Sequence, residues 1–200
     1  MYYSIYKGIR DSAWLCLLDN NIDRLPVDVL KITRAAQIKV VKNSAVNDLL
    51  PDEDAKTYYN GKNFIIIYND NNDTVTSRFA IAHELGHIFL GHPTTHTKFA
   101  NVREFGKKPK AEQQADMFAL RLLCPACVLH QLGLSSAEDI FLYCRVPLHH
   151  AKIRSGRMAE LYKKDKFFTS DLEKQICNNF SGFVLDCKNR KESYAIIRTE

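Results

Sequence analysis

The sequence predicts an α+β fold, with a small β-sheet packed beside helices, from two observations. The first is a hairpin pattern, in which strand-like residues 57–59 and 64–68 flank an Asn60-Gly61 turn. The second is the helical periodicity of apolar residues in the later segments 75–90 and 111–123. Strands grouped ahead of helices, rather than alternating with them, are typical of α+β proteins.

The segments before the hairpin add two helices and a strand to this expectation. Residues 2–19 have an amphipathic helical pattern, and residues 26–36 form a second predicted helix with Pro26 in its first turn. Residues 37–41 are a predicted strand. The Asn/Asp-rich run 69–73 lacks the glycine and the distal glutamate of an EF-hand calcium loop, so we expect a turn there.

The helix over residues 75–90 is predicted to lie in the core, because it is apolar nearly all round. Thr74 or Thr76 is the expected N-cap, and Gly91 followed by Pro93 is the expected stop.

This core helix carries the pentapeptide His83-Glu84-Leu85-Gly86-His87. Histidines four residues apart lie on one face of a helix, where one tetrahedral metal ion can accept both imidazoles. Glu84 is turned about 100° away from His83 around the helix axis, so it need not be a ligand and can instead take a proton from an activated water. The alternative is two hydrogen-bonded histidines and a surface glutamate. Burying these polar groups without partners is costly, which favours a zinc hydrolase.

The third protein ligand of a catalytic zinc should come from elsewhere in the chain, and Glu112 is the best candidate. It lies on the predicted helix over residues 111–123, which Pro125 closes. Asp116 follows one turn later on the same face, where it could support a ligand histidine from behind. The alternative is an acidic helix N-terminus that the helix dipole favours.

Two segments together resemble the ImmA/IrrE family of bacterial metallopeptidases. Residues 78–87 show its Arg-Phe-x-x-x-His-Glu-x-x-His helix, and residues 112–125 show its Glu-x-x-Ala-Asp helix that ends in Leu-Leu-x-Pro. Residues 63–69 are similar to the strand before the zinc helix. The resemblance covers about residues 25–160. Cys124 stands where Met is common, and Gln114 stands where a second Glu is common.

The resemblance implies a zincin-like zinc endopeptidase. His83, His87 and Glu112 would be the Zn²⁺ ligands, and Glu84 the general base. The implied substrate is a helix-turn-helix transcriptional repressor, often encoded beside the protease on a mobile element or prophage, with a role in regulation or stress response. Cleavage would be site-specific and relieve repression.

Composition agrees with a small globular enzyme, since 46% of the residues are hydrophobic. Neither a signal-peptide pattern nor a run of about eighteen apolar residues is evident, so we expect a cytoplasmic protein without a membrane partner. The six cysteines are then expected to be thiols. Cys124 and Cys127 have the C-x-x-C spacing of redox or zinc sites, whereas Cys177 and Cys187 match no ligand spacing. Buried thiols are the favoured interpretation.

The chain is predicted to divide into a peptidase core, residues 1–135, and a basic extension, residues 136–200, packed on that core. Residues 144–200 hold twelve Lys and Arg against seven Asp and Glu, which accounts for the whole net charge of +5. Helices at 136–144 and 148–162 predict a helix-turn-helix-like hairpin. Nucleic acid contact through 136–166 is possible in principle, but a packing or substrate-docking role is favoured. Strand-like pieces are predicted at 182–185 and 194–197.

Three alternatives concern the site. His92 or His96 could stabilise the oxyanion of a tetrahedral intermediate, or could simply belong to a solvated basic loop. The protein could be a DNA-binding regulator with a vestigial peptidase site. It could also be a structural zinc domain, with Asp116 or His92 as a fourth ligand.

Overall fold

The computed structural model describes residues 3–92 and 109–197, and these residues form three strands and ten helices. The strands are β1 Lys39–Lys42, β2 Ala55–Tyr59 and β3 Phe64–Tyr68. Two helices precede β1, namely α1 Tyr3–Asp19 and α2 Val29–Ala35, and α3 Asn43–Val46 lies between β1 and β2 in the chain. The remaining helices are α4 Thr74–Phe89, α5 Lys110–Leu123, α6 Ala126–Leu132, α7 Ala137–Cys144, α8 Leu148–Lys163, α9 Asp171–Asn179 and α10 Ser181–Ile197. The predicted α+β class, a small sheet beside helices, is confirmed.

The sheet has the strand order β1-β3-β2. β2 and β3 form the predicted antiparallel hairpin, with Thr57 opposite Ile66, and β1 pairs in parallel with β3. The Asn60 side chain accepts hydrogen bonds from the backbone N–H groups of Lys62 and Asn63, at 3.0 and 2.8 Å. Gly61 has a φ of +88°, which L side chains rarely adopt. The Asn-Gly pair therefore closes this hairpin.

The N-cap of α4 is Asp73, so the expectation of Thr74 or Thr76 was wrong. The Asp73 carboxylate accepts from the backbone N–H groups of Val75 and Thr76 at 2.8 and 3.0 Å, and from the Thr76 hydroxyl at 2.7 Å. A carboxylate satisfies several unpaired groups at once and is favoured by the helix dipole, which a threonine hydroxyl is not.

α4 and α5 approach each other very closely at Gly86. A Cβ atom added there would lie 3.0 Å from both the Cα and the carbonyl oxygen of Ala115, and 3.2 Å from the Cβ of Phe118. Ala115 and Phe118 are fully buried. The glycine in the pentapeptide thus lets α5 pack against the histidine-bearing helix.

The C-terminal elements join the same hydrophobic cluster as α1, α4 and α5. Ile140 of α7, Met158 of α8, Ile176 of α9 and the neighbouring Phe180 are all fully buried in it. The two helices predicted from 136 to 162 are present as α7 and α8. Their helix-turn-helix character stays a prediction.

The strands predicted at 182–185 and 194–197 were wrong, because both pieces belong to α10. Phe180 and Val184 are four residues apart, and both are buried in the core cluster. Their helical spacing accounts for the burial, whereas the run of apolar and β-branched residues had suggested a strand. The short helices α3, α6 and α9 were not anticipated.

One stretch is apolar enough to raise the question of a membrane, contrary to the sequence-based expectation. Residues Lys110–Leu132 are long and apolar enough to cross a membrane, but 78% of the most apolar 18-residue stretch among them is buried inside the protein. That burial is typical of a core helix in a soluble protein.

The close contact at Gly86 generates a prediction about stability. Gly86→Ala should lower the free energy of unfolding by about 1–3 kcal/mol, because α5 must shift to admit the new methyl group. Gly156 of α8 is the matched control, since a Cβ there meets nothing within 4 Å. Gly156→Ala should raise stability by roughly 0.5–1 kcal/mol. Urea unfolding of both variants measures this, and equal effects would contradict the account.

Candidate metal centre

The ligating atoms of His83, His87 and Glu112 all lie within 4.8 Å of one another. The two histidine Nε2 atoms are 3.0 Å apart. The Glu112 carboxylate places Oε2 at 3.2 Å from His83 Nε2 and Oε1 at 3.2 Å from His87 Nε2. α4 supplies both histidines and the first turn of α5 supplies the carboxylate, so the helix contact at Gly86 brings these three side chains together.

These separations suit a small tetrahedral metal ion. Bonds of about 2.0–2.1 Å to tetrahedrally arranged ligands put neighbouring ligand atoms roughly 3.3 Å apart. Among the described residues, the two imidazoles and one carboxylate leave a fourth position open, as in catalytic rather than structural sites. The same donor set also suits other divalent transition metals. Among the described residues, this is the one group of three that could hold a metal ion.

The charges at this centre favour a positively charged occupant. Burial tends to lower the pKa of His83, but its hydrogen bonds to Asp116 and Glu112 prevail and raise that pKa to about 9. Conversely, the hydrogen bonds from His83 and His87 hold the pKa of Glu112 far below its usual range. Carboxylates thus surround the imidazoles and would stabilise a bound cation.

Asp116 orients His83 from behind. Its Oδ1 lies 2.8 Å from His83 Nδ1, and Glu112 lies on the opposite side of the imidazole at Nε2. A carboxylate that accepts the Nδ1 proton leaves the Nε2 lone pair free for a metal and fixes the ring. The sequence-based expectation placed Asp116 in this position behind a ligand histidine.

A second chain of hydrogen bonds supports His87. His92 Nδ1 lies 3.3 Å from His87 Nδ1, and His92 Nε2 lies 2.9 Å from the Gln114 side-chain oxygen. An amide oxygen only accepts, so His92 carries its proton on Nε2 and accepts at Nδ1 from His87. His87 Nε2 is then free to bind a metal. His92 therefore lies behind His87, and its role as an oxyanion donor stays a prediction. His96 lies outside the described residues.

Glu84, next to His83 on α4, is hydrogen-bonded to the sheet. Its Oε2 accepts a hydrogen bond of 2.6 Å from the Thr57 hydroxyl on β2. Glu84 is 9% exposed and Thr57 only 4% exposed. The Thr57 hydroxyl therefore holds the buried Glu84 side chain in one orientation. Thr57 was not anticipated, although it lies in the predicted hairpin.

The cysteines form no centre of their own among the described residues. All six are free thiols, and five of them are buried. Cys124 hydrogen-bonds with Cys144, and Cys127 with Cys177, rather than with each other. These bonds, together with burial, raise the pKa values of Cys127 and Cys144. Buried thiols act as small apolar side chains. This agrees with the interpretation favoured from the sequence for Cys124 and Cys127.

A comparison with known families shows the family to which this chain belongs. Residues 34–163 match the Peptidase_M78 family model, described as the IrrE N-terminal-like domain. The chain belongs to the ImmA/IrrE family of metallopeptidases. The match contains the whole cluster, from the sheet through α5, and extends through the α7–α8 pair.

A relative of this ImmA/IrrE protein is encoded by a phage. The chain is 33% identical over 98 residues to "Uncharacterized immunity region protein 2" of Bacillus phage phi105. The aligned part covers 48% of this chain and 61% of the relative. The chain thus spans less than two thirds of the length of the curated relative that it matches.

Proposed function

We propose that this ImmA/IrrE protein is a zinc-dependent endopeptidase. The observation that carries the proposal is the convergence of His83, His87 and Glu112, with Glu84 held next to them on the same helix. A purely structural site would not need a buried glutamate beside three ligands, and a fourth protein ligand would normally complete it. Zinc is the favoured metal because the donors are two imidazoles and one carboxylate, arranged for tetrahedral binding.

The proposed roles follow from where each side chain lies. Zinc would be held by His83, His87 and Glu112, and it would supply a Lewis acid that polarises the scissile carbonyl and activates water. Glu84 takes a proton from the attacking water and passes it to the leaving amine. Asp116 and His92 keep the two imidazoles in the orientation that ligation requires.

The proposed substrate is a helix-turn-helix transcriptional repressor, cut at a single bond. The name of the phage relative places that protein in an immunity region, which supports a repressor-related role. A protease confined to one repressor would not endanger other proteins in the cytoplasm, where such a repressor would be met. Broad digestion of unfolded proteins is therefore not expected.

The role proposed for the α7–α8 pair is substrate docking rather than DNA binding. α8 buries Arg154 and Met158 in the core, while Leu142 of α7 and Ile153 of α8 are 65% and 59% exposed. Exposed apolar side chains suit a protein partner better than a phosphate backbone, which requires basic side chains. Lys152 lies beside Ile153 on the exposed side and would favour an acidic partner surface.

Replacement of Glu84 by Gln tests the proposed chemistry. Glu84→Gln should keep zinc, because the ligands are unchanged, and should lose roughly 10²–10⁴-fold in cleavage rate, because an amide cannot accept the proton. His83→Ala is the contrasting variant and should lose zinc. Metal analysis and incubation with a co-encoded repressor provide the two measurements. Cleavage by Glu84→Gln at the wild-type rate would refute the mechanism. A zinc-loaded wild-type protein that cuts casein but no co-encoded repressor would refute the substrate.

The Thr57–Glu84 hydrogen bond gives a second prediction. Thr57→Val keeps the shape of the side chain but removes its hydroxyl, so Glu84 is left without this donor. A charged hydrogen bond contributes roughly 1.5–3 kcal/mol, so kcat should fall about 10-fold or more, with KM and zinc content unchanged. Thr57→Ser should restore activity. A Thr57→Val enzyme with wild-type kcat would show that the bond is only structural.

A further inference from the structure

Three arginines converge on Tyr6 at the far side of α5 from the metal centre. The Cζ atom of Arg121 lies 4.1 Å from the centre of the Tyr6 ring, and that of Arg157 lies 5.1 Å from it. Arg154, one turn before Arg157 on α8, acts on the same tyrosine through its charge. Arg121 is 6% exposed and Arg154 is 4% exposed, whereas Tyr6 and Arg157 are partly exposed.

The hydrogen-bond partners of these guanidinium groups are carbonyl oxygens and the Tyr6 side chain, not carboxylates. Arg121 donates to the Met117 carbonyl oxygen at 2.7 Å, and Arg154 donates to that of Cys124. Both carbonyls belong to the C-terminal half and end of α5, where the helix dipole is negative. Among the described residues, no carboxylate forms an ion pair with Arg121, Arg154 or Arg157.

The carbonyl contacts leave some of the guanidinium donors in this cluster without a partner among the described residues. Arg121 and Arg154 cap carbonyls of α5. The Nε atoms of Arg154 and Arg157 are both buried and have no hydrogen-bond partner. Buried charges are ordinarily paired, because an unpaired ion inside a protein loses its hydration without compensation. An anion bound at this cluster would give the buried Nε atoms of Arg154 and Arg157 the acceptor that they lack among the described residues.

The positive charge of these arginines affects the pKa of the neighbouring Tyr6 side chain. Burial reduces the pKa of Arg121 to about 10. Burial alone would raise the pKa of Tyr6, but Arg121, Arg157 and Arg154 lower it below its ordinary value. The phenol is thus pushed toward its anionic form, as expected where an anion would be stabilised.

We propose that Arg121, Arg154, Arg157 and Tyr6 form a binding site for a phosphate group, either inorganic phosphate or the phosphate monoester of a small molecule. Three guanidinium groups match a doubly charged phosphate, whose several oxygens can accept from more than one planar fork. A single carboxylate carries half the charge of a phosphate dianion and would neutralise less of the positive charge of the three arginines. Arg121 and Arg154 form the buried floor of this phosphate site, and Tyr6 and Arg157 form its partly exposed rim.

This phosphate site is separate from the metal centre. Arg121 follows Glu112 by nine residues on α5, which places the two side chains on opposite faces of the helix at about 100° per residue. Tyr6 and Arg157 come from α1 and α8, neither of which supplies a candidate metal ligand. The proposal therefore stands whether or not the protein is a peptidase.

Calorimetric titration of the full-length, zinc-loaded protein with inorganic phosphate tests the proposal. The wild type should bind one phosphate per chain and melt at a higher temperature in phosphate than in chloride of equal ionic strength. Arg157→Gln should weaken binding at least 10-fold. Arg157 is the residue to change, because it is partly exposed and caps no carbonyl, so the variant should still fold. Lys152→Gln, which removes an exposed charge from the same helix, is the matched control and should bind as the wild type does.

Further arms identify the source of the phosphate and exclude binding elsewhere. Tighter binding of adenosine monophosphate than of inorganic phosphate would indicate a nucleotide-like monoester, and the reverse would indicate the free ion. Acetate should bind at least 10-fold more weakly than phosphate. The proposal is overturned if the wild type responds to phosphate no more than to chloride, or if acetate binds equally well. Undiminished phosphate binding by Arg157→Gln would indicate that phosphate binds at the zinc instead. An equal loss of phosphate affinity in Lys152→Gln would indicate a non-specific effect of the net charge. Either outcome overturns the proposal.

Discussion

The close contact between α4 and α5 at Gly86 is the constraint on which the metal centre depends. A Cβ atom at that position would lie only 3.0 Å from the backbone of Ala115, so any side chain there would force the helices to shift. The contact sets Glu112 opposite the two histidines of α4 at ligand distances. A larger residue would separate the helices and with them the ligands. The glycine within the pentapeptide is therefore a packing requirement of the site and not a neutral spacer.

Each functional side chain at the centre is held by one neighbour from a different part of the fold. Asp116 of α5 fixes His83, and His92, which follows α4, fixes His87. Thr57 of β2 fixes Glu84. The small sheet therefore does more than cover the helices, because it provides the only described hydrogen bond to the proposed general base. Fixed side chains lose little entropy when a metal or a substrate binds, and this preorganisation favours catalysis.

Features that depend on local residue spacing could be predicted from the sequence, whereas contacts between residues far apart in the chain could not. The histidine spacing on α4 follows from helix geometry, and the Asn60-Gly61 turn follows from its residues. Glu112 was a candidate from its spacing to Asp116, and its role as a ligand is what the family resemblance implies. The Thr57–Glu84 bond joins residues 27 apart, and only the packing of β2 on α4 reveals it. The strand-like composition of 182–185 was misleading, because burial of Val184 beside Phe180 favoured a helix there. Tertiary contacts override such weak local preferences.

The central claim is that two imidazoles and one carboxylate hold zinc with one position left for water. X-ray absorption at the zinc edge of the loaded protein tests this claim most directly. The account predicts two nitrogen ligands from His83 and His87, with oxygen from Glu112 and solvent completing four-fold coordination. Sulfur at about 2.3 Å would implicate the cysteines. Either that result or a third imidazole, which would bring in His92 and close the site, would contradict the account.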